Sequence, residues 1–205
     1  MAITFPLTLP THTGIRNVSF RANNAVAYSM SPFTFAGQAH QYAGQMWEAD
    51  ITLPPIRDRA DAEQWNAFLM SLNGQAGTFL LGDPNGCVPR GTASASPGTP
   101  IITAQTGSTI AVTGAATSQT GWLLAGDYIQ LGAASSATLH KVLVDADTDI
   151  SGNATLEVWP AVRGTRSSSV VVAHAVGRFR LAENVSGWNA DVAQYGITFS
   201  AMEAV

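Results

Sequence analysis

From Ile101 to about Val172 the chain has no stretch that would lay an apolar stripe along a helix. Short β-prone runs recur there instead, at a spacing of roughly ten residues, with Gly-rich turns between them. They are Ile101–Thr103, Thr109–Val112, Asp127–Leu131, Leu139–Val144, Ala154–Trp159 and Val170–Val172. This spacing belongs to a small barrel or sandwich, because each run is about one strand long.

The flanking segments are also β-rich. Trp47, Ala49, Ile51 and Leu53 share one face of a strand over Met46–Leu53, with Met46, Glu48, Asp50 and Thr52 on the other. A period of two with one polar face is the mark of a strand that has one wet side. Pro54 and Pro55 end it, since neither can donate to a ladder. A helix follows, capped by Asp58, with Asp61 and Glu63 near its positive end. Trp65, Phe68, Leu69 and Leu72 repeat at i, i+3, i+4 and i+7 and form its core stripe, and Asn73-Gly74 supplies a left-handed stop. A short buried strand is expected at Thr78–Leu81, and further strands around Ala25–Phe35, Phe179–Leu181 and Trp188–Phe199. Gly91–Pro100 is almost all Gly, Ala, Ser, Thr and Pro and reads as a flexible linker.

Composition sets the next constraint. Charged residues make up only 12% of the 205 residues, about half the usual share for a soluble domain. Buried subunit interfaces are depleted in charge, so much of this surface is expected to be covered by partners. Ten Lys and Arg against fourteen Asp and Glu give a net charge of −4, and the basic residues are scattered. That argues against a direct nucleic-acid ligand, which needs clustered cations. The single Cys87 rules out an intramolecular disulfide, and no apolar run approaches the ~20 residues of a spanning helix. Residues Met1 to Pro10 do not read as a signal peptide, so folding in a cytoplasm is expected.

Candidates for chemistry are few. Asp145, Asp147, Asp149, Ser151 and Asn153 alternate as at the start of a calcium loop, but Ile150 and Leu156 stand where that loop needs Gly and a bidentate Glu. A polar turn between two strands is the expectation there. Cys87, His140 and His174 lack any nucleophile signature, and His12 and His40 have no ligand-spaced partner. Paired carboxylates for glycoside hydrolysis would come from Glu48, Asp50, Glu157, Glu183 or Asp191, and sugar platforms from Trp122, Trp159 or Trp188. Core aromatics and the wet face of an ordinary strand are the expectation for these residues, because large aromatics dominate burial in β proteins. No catalytic, cofactor-binding or metal site is expected, and no enzyme activity.

Three stretches carry a resemblance to a family. They are Met46–Pro55 with the helix and Gly77–Pro84; Ala125–Gly132 with Ser151–Arg163; and Gly177–Ala182 with Trp188 and Tyr195–Ala204. Together they resemble the distal-tail or minor tail proteins of long-tailed phages and prophages. The resemblance implies a mainly β fold with one α-helix, in which a tail-tube-like β-sandwich or barrel is interrupted by a small OB-like β-barrel module. The expected division is 1–87 with 176–205 for the ring-forming domain and 88–175 for the inserted module.

The family implies a structural virion protein of the tail tip, assembled in the host cytoplasm. It forms a ring, usually hexameric, that joins the tail tube protein to hub and fibre proteins. Genomic DNA only passes through the lumen, and no membrane insertion is involved. Glu48 and Asp50 are the lumen-facing candidates, in a lumen expected to be mildly acidic. The alternative reading makes the inserted module a carbohydrate- or receptor-binding element that contacts the host surface.

Overall fold

A computed structural model of the chain describes residues 3–11, 14–166, 169–191 and 194–205. The fold is mainly β with one α-helix. In chain order the strands are β1 (Asn17–Met30), β2 (Gly37–Thr52), then helix α1 (Arg59–Ser71), β3 (Phe79–Leu81), β4 (Gly98–Thr106) and β5 (Thr109–Ala115). They continue with β6 (Tyr128–Leu131), β7 (Thr138–Val142), β8 (Ala154–Trp159), β9 (Val170–Val171), β10 (Gly177–Leu181), β11 (Trp188–Ala190) and β12 (Tyr195–Glu203). Among the described residues no helix is long and apolar enough to cross a membrane.

The first sheet has the order β1-β2-β12-β10-β3, with β11 paired to β12, and every pair is antiparallel. Its inner face follows the expected alternation. Trp47, Ala49 and Ile51 of β2 lie level with Phe199 and Ala201 of β12, and the row continues into Phe179 and Leu181 of β10. Helix α1 covers part of this face. Asp58 caps it by accepting the Ala60 N–H over 2.8 Å, and Asn73 and Gly74 follow its end at φ 50° and 65°. The stripe of Trp65, Phe68, Leu69 and Leu72 is buried as the spacing predicts. Trp65 packs 6.3 Å from Phe199, and Phe68 meets Phe79 edge-on at 5.6 Å.

The second sheet has the order β4-β5-β8-β7-β6-β9, again antiparallel. A bridge between Ile101 and Ser169 brings the first and last strands together, so the sheet is a nearly closed barrel. Closure leaves few unpaired edges and encloses Ile110, Trp122, Leu123, Ile129, Leu131 and Leu156, all fully buried. All its strands lie between β3 and β10 in the chain.

One expectation fails here. Gly91–Pro100 is no flexible linker: Thr92 and Ala93 donate to the carbonyls of Gly121 and Trp122, Ala93 is buried, and β4 begins at Gly98. The small residues are there because the backbone lies close to its neighbours. A Cβ on Gly91 would collide with the Trp122 and Gly121 carbonyls.

The two sheets share a core. Tyr128 and Leu139 of the barrel are buried in the same cluster as Trp47 and Phe179, with half-buried Trp159 packed against it. Trp159 meets Trp47 edge-on with ring centroids 4.5 Å apart, and the Trp47 indole donates to the Leu139 carbonyl over 2.9 Å.

Candidate assembly surface

β1 and β2 are the longest strands of the chain, and most of their length leaves the sheet. Strand β12 pairs with β2 only from Thr52 to Glu48. Beyond that point β1 and β2 run on as a two-stranded ribbon, through a register shift between Asn24 and Val26, to the last pair Met30↔Gly37. At about 3.3 Å per residue, the arm extends roughly 25 Å past Trp47. Its tip is a tight turn in which the Ser31 N–H donates to the Ala36 carbonyl and the Phe35 N–H to the Ser31 carbonyl, both over 2.9 Å.

From Ala22 to Met46 there is no Asp, Glu, Lys or Arg. Apolar side chains stand in water instead: Phe33 is 92% exposed, Phe35 73%, Tyr28 65% and Tyr42 55%. Val26, Tyr28 and Met30 alternate along one face of β1, and each is at least half exposed. An isolated two-stranded ribbon is marginally stable at best, and β1 is also an outer edge with unpaired backbone groups. Soluble chains normally protect such an edge with charge, and from Ala22 to Met46 the arm carries none of its own.

The barrel holds the arm at its root. The Trp159 indole N–H donates to Asn24 Oδ1 and the Ala161 N–H to Gln45 Oε1, each over 2.8 Å. Arg163 donates to the Gln45 carbonyl and pairs with both oxygens of Glu203, at 3.1 and 3.3 Å. The Glu203 side chain is only 2% exposed, and its Oε2 also accepts the Trp47 N–H over 3.2 Å.

Glu48 and Asp50 lie on the wet face of the first sheet, as their alternation predicts. They are not a bare acidic pair. Arg21 bonds Asp50 at 2.5 Å and lies 3.5 Å from Glu48, while Ser200 donates to Asp50 over 2.6 Å and Asn23 to Glu48 over 2.8 Å. By register Arg178 and Arg180 lie on the same side of the sheet, but they donate to the Ala204 and Gln75 carbonyls, so Arg21 is the cation that meets these carboxylates. Asp50 and Glu183 also line one cleft of about 300 Å³, together with Val185, Ser186 and Phe199.

The remaining candidates are dispersed. Asp145 accepts the Ala125 N–H, Asp147 the Gly121 N–H, and Asp149 the N–H groups of Ser151 and Asn153. The carboxylates therefore brace separate turns rather than converge, and the Asn153 hydrogen bonds hold Asp149 below the usual carboxylate range. His140 is buried, its Nδ1 2.7 Å from the Pro160 carbonyl and Nε2 3.0 Å from Thr138 Oγ1. Burial is the main reason its pKa is pushed down to about 4. The His174 N–H donates to the Cys87 carbonyl over 2.5 Å, which brings those two residues together through backbone alone. Glu157 accepts from Thr109 Oγ1 over 2.6 Å. His40 stacks on Tyr42 in the arm, and His12 lies outside the described residues. Trp122 is fully buried and Trp159 is packed on Trp47, which leaves Trp188 as the exposed one of the three.

The arm was only partly visible in the sequence. The strand at Met46–Leu53 announced itself by alternation, but Gly37–Gln45 has no buried face and so no alternation to read. Its signal was the 25-residue absence of charge from Ala22 to Met46. The sequence matches no family model, and no curated protein matches it.

Proposed function

We propose that this chain is a structural protein of a phage tail tip, whose copies assemble into a ring, hexameric by the family resemblance, between the tail tube and the hub. The observation that carries the reading is the β1–β2 arm. It is long, uncharged and apolar, and its outer edge is open for strand addition. Alone in water such a ribbon is a poor structure, whereas a neighbour's strand alongside β1 would satisfy its backbone and cover Val26, Tyr28 and Met30. A head-to-tail contact of this kind closes into a ring when the rotation per copy divides the circle.

In that ring the wet face with Glu48 and Asp50 would look toward the lumen. With Arg21 bonded to Asp50 and paired with Glu48, it would present passing DNA with a partly neutralised surface rather than a bare acidic wall. The tail-tube-like character of the first sheet and the tube, hub and fibre partners belong to the same proposal, and so does residence in the virion.

The test is molar mass by light scattering on the purified chain, with negative-stain images of the same fractions. A discrete ring of six or another small number is the expected result. A monomer at every concentration would overturn self-assembly through the arm.

A further inference from the structure

Arginines gather at one end of β7 and β8, and aspartates at the other. At one end, around the start of β7 and the segment after β8, Arg163, Arg166 and Arg178 line a cleft of about 300 Å³ with Ser135, Ser136 and Thr138. This gathers three of the ten cations of a chain whose net charge is −4. Arg163 is matched by Glu203. Arg166 bonds only a carbonyl, that of Ser136 at 2.7 Å, and Arg178 bonds only that of Ala204, at 2.9 and 3.3 Å. Among the described residues neither has a carboxylate partner. Half-buried guanidinium groups that share a cleft repel one another, and their field reaches His140, where Arg163 and Arg166 both disfavour the proton.

At the other end of the same strands, the loop from Leu143 to Asn153 carries Asp145, Asp147 and Asp149, with Arg90, paired to Asp127, and Lys141, bonded to Tyr128, as the nearby cations. β7 and β8 are antiparallel, with Lys141 opposite Trp159 and Val142 opposite Val158, so this loop and the arginine cleft lie at opposite ends of the pair. Five residues of β7 put them roughly 17 Å apart, too far to neutralise each other across water. Asp145, Asp147 and Asp149 put three exposed carboxylates within five residues, the densest acidic group in the sequence and so the best match to a cleft with several guanidinium groups. The apolar walls formed by Ala137, Ala204 and Val205 also fit a protein side chain better than a hydrated ion.

We propose that the arginine cleft receives the aspartate loop of a second copy of this chain, in a head-to-tail contact between barrels. The inference rests on the reading that the chain self-assembles, and it adds a second, electrostatic contact to the one made by the arm. Each copy would present opposite charge to its two neighbours, which fixes the direction of the ring and excludes a two-fold pairing of like ends.

The test is self-association of the full chain measured by light scattering against NaCl concentration. Four proteins are compared: wild type, Arg166→Gln/Arg178→Gln, Asp145→Asn/Asp147→Asn/Asp149→Asn, and all five changes together. Asn keeps an oxygen for each backbone N–H, so the loop should hold its shape. Each partial set should weaken association at low salt by roughly tenfold or more, and added salt should weaken wild type toward the variants. The full set should lose no more than one partial set, because both remove the same contact. Losses that multiply would overturn the proposal, as would an assembled wild type that neither set affects; the ring reading would survive both. A wild type that stays monomeric throughout would remove both. Tight binding of inorganic phosphate that depends on Arg166 and Arg178, with assembly unchanged by either set, would make the cleft a small-anion site instead.

Discussion

Trp159, the last residue of β8 in the barrel, donates its indole N–H to Asn24 Oδ1, at the register shift where the β1–β2 arm leaves its sheet. The same ring meets Trp47 edge-on in the core of the first sheet. The barrel thus reaches across the interface and sets the root of the arm, so the direction of a ribbon with little support of its own depends on a residue 135 positions away.

Replacing Trp159 with Phe keeps much of the ring packing and removes the donor. The bond lies at an exposed site, so the loss of stability should be modest, about 1 kcal/mol by urea unfolding. The informative readout is hydrogen exchange. Amides of Val26–Met30 and Gly37–Gln41 should exchange faster than in wild type, while those of β10 and β12 stay protected. Equal protection in the arm would mean that Trp159 does not hold it.

Arg163 and Glu203 form the other root contact, and here the energetics are steeper. Glu203 is almost fully buried, and its partners are Arg163 and the Trp47 N–H. Arg163→Met would leave that carboxylate without its countercharge and should cost about 3–5 kcal/mol. Adding Glu203→Gln should return a large part of the loss, because a neutral amide can still accept from Trp47 and needs no cation. A double variant no more stable than the single one would contradict this account.

These root contacts mark where the sequence stops being readable. The helix stripe, its Asp58 cap and β8 over Ala154–Trp159 were legible because each has a local pattern: a period of 3.6, a capping residue, or a period of two. The barrel strands were legible for the same reason, to within a few residues at their ends. Gly91–Pro100 misled because composition cannot distinguish residues kept small for close packing from residues kept small for flexibility. The alternation of Glu48 and Asp50 on one face of β2 was legible, but their pairing with Arg21 depends on a register that no local pattern shows. Contacts such as Trp159–Asn24 and Arg163–Glu203 join residues with no sequence relationship, and nothing local announces them.

His140 gives the fold a pH dependence whose sign can be stated. Its pKa is pushed down to about 4 in the folded chain, chiefly by burial, against about 6.5 unfolded. Above about pH 6.5 both states are neutral at this residue. Between pH 6.5 and 4 the unfolded chain binds a proton that the folded chain does not, so stability falls as pH falls. The shift corresponds to a loss of roughly 3 kcal/mol between pH 7 and pH 4. Urea unfolding across that range should show the decline, and His140→Gln should flatten it. Asp149, whose pKa is lowered from 3.8, loses its contribution only at still lower pH, so the two windows separate.

The tip of the arm offers the sharpest division between folding and assembly. Phe33 and Phe35 are the most exposed aromatic residues described, and neither touches the core. Phe35 sits at φ 55°, a left-handed conformation that Asn adopts more readily than Phe. Phe33→Ser with Phe35→Asn should therefore leave thermal stability of the isolated chain nearly unchanged, within about 0.5 kcal/mol. If the tip is a contact, the same pair should shift the light-scattering mass toward the monomer. Phe68→Ala is the contrasting control: it leaves a cavity between α1 and Phe79 and should cost about 3–5 kcal/mol. A tip variant that assembles like wild type would move the contact to the edge of β1, where Val26→Ser and Tyr28→Ser then become the deciding changes. A tip variant that unfolds would mean that the arm is supported within its own chain after all.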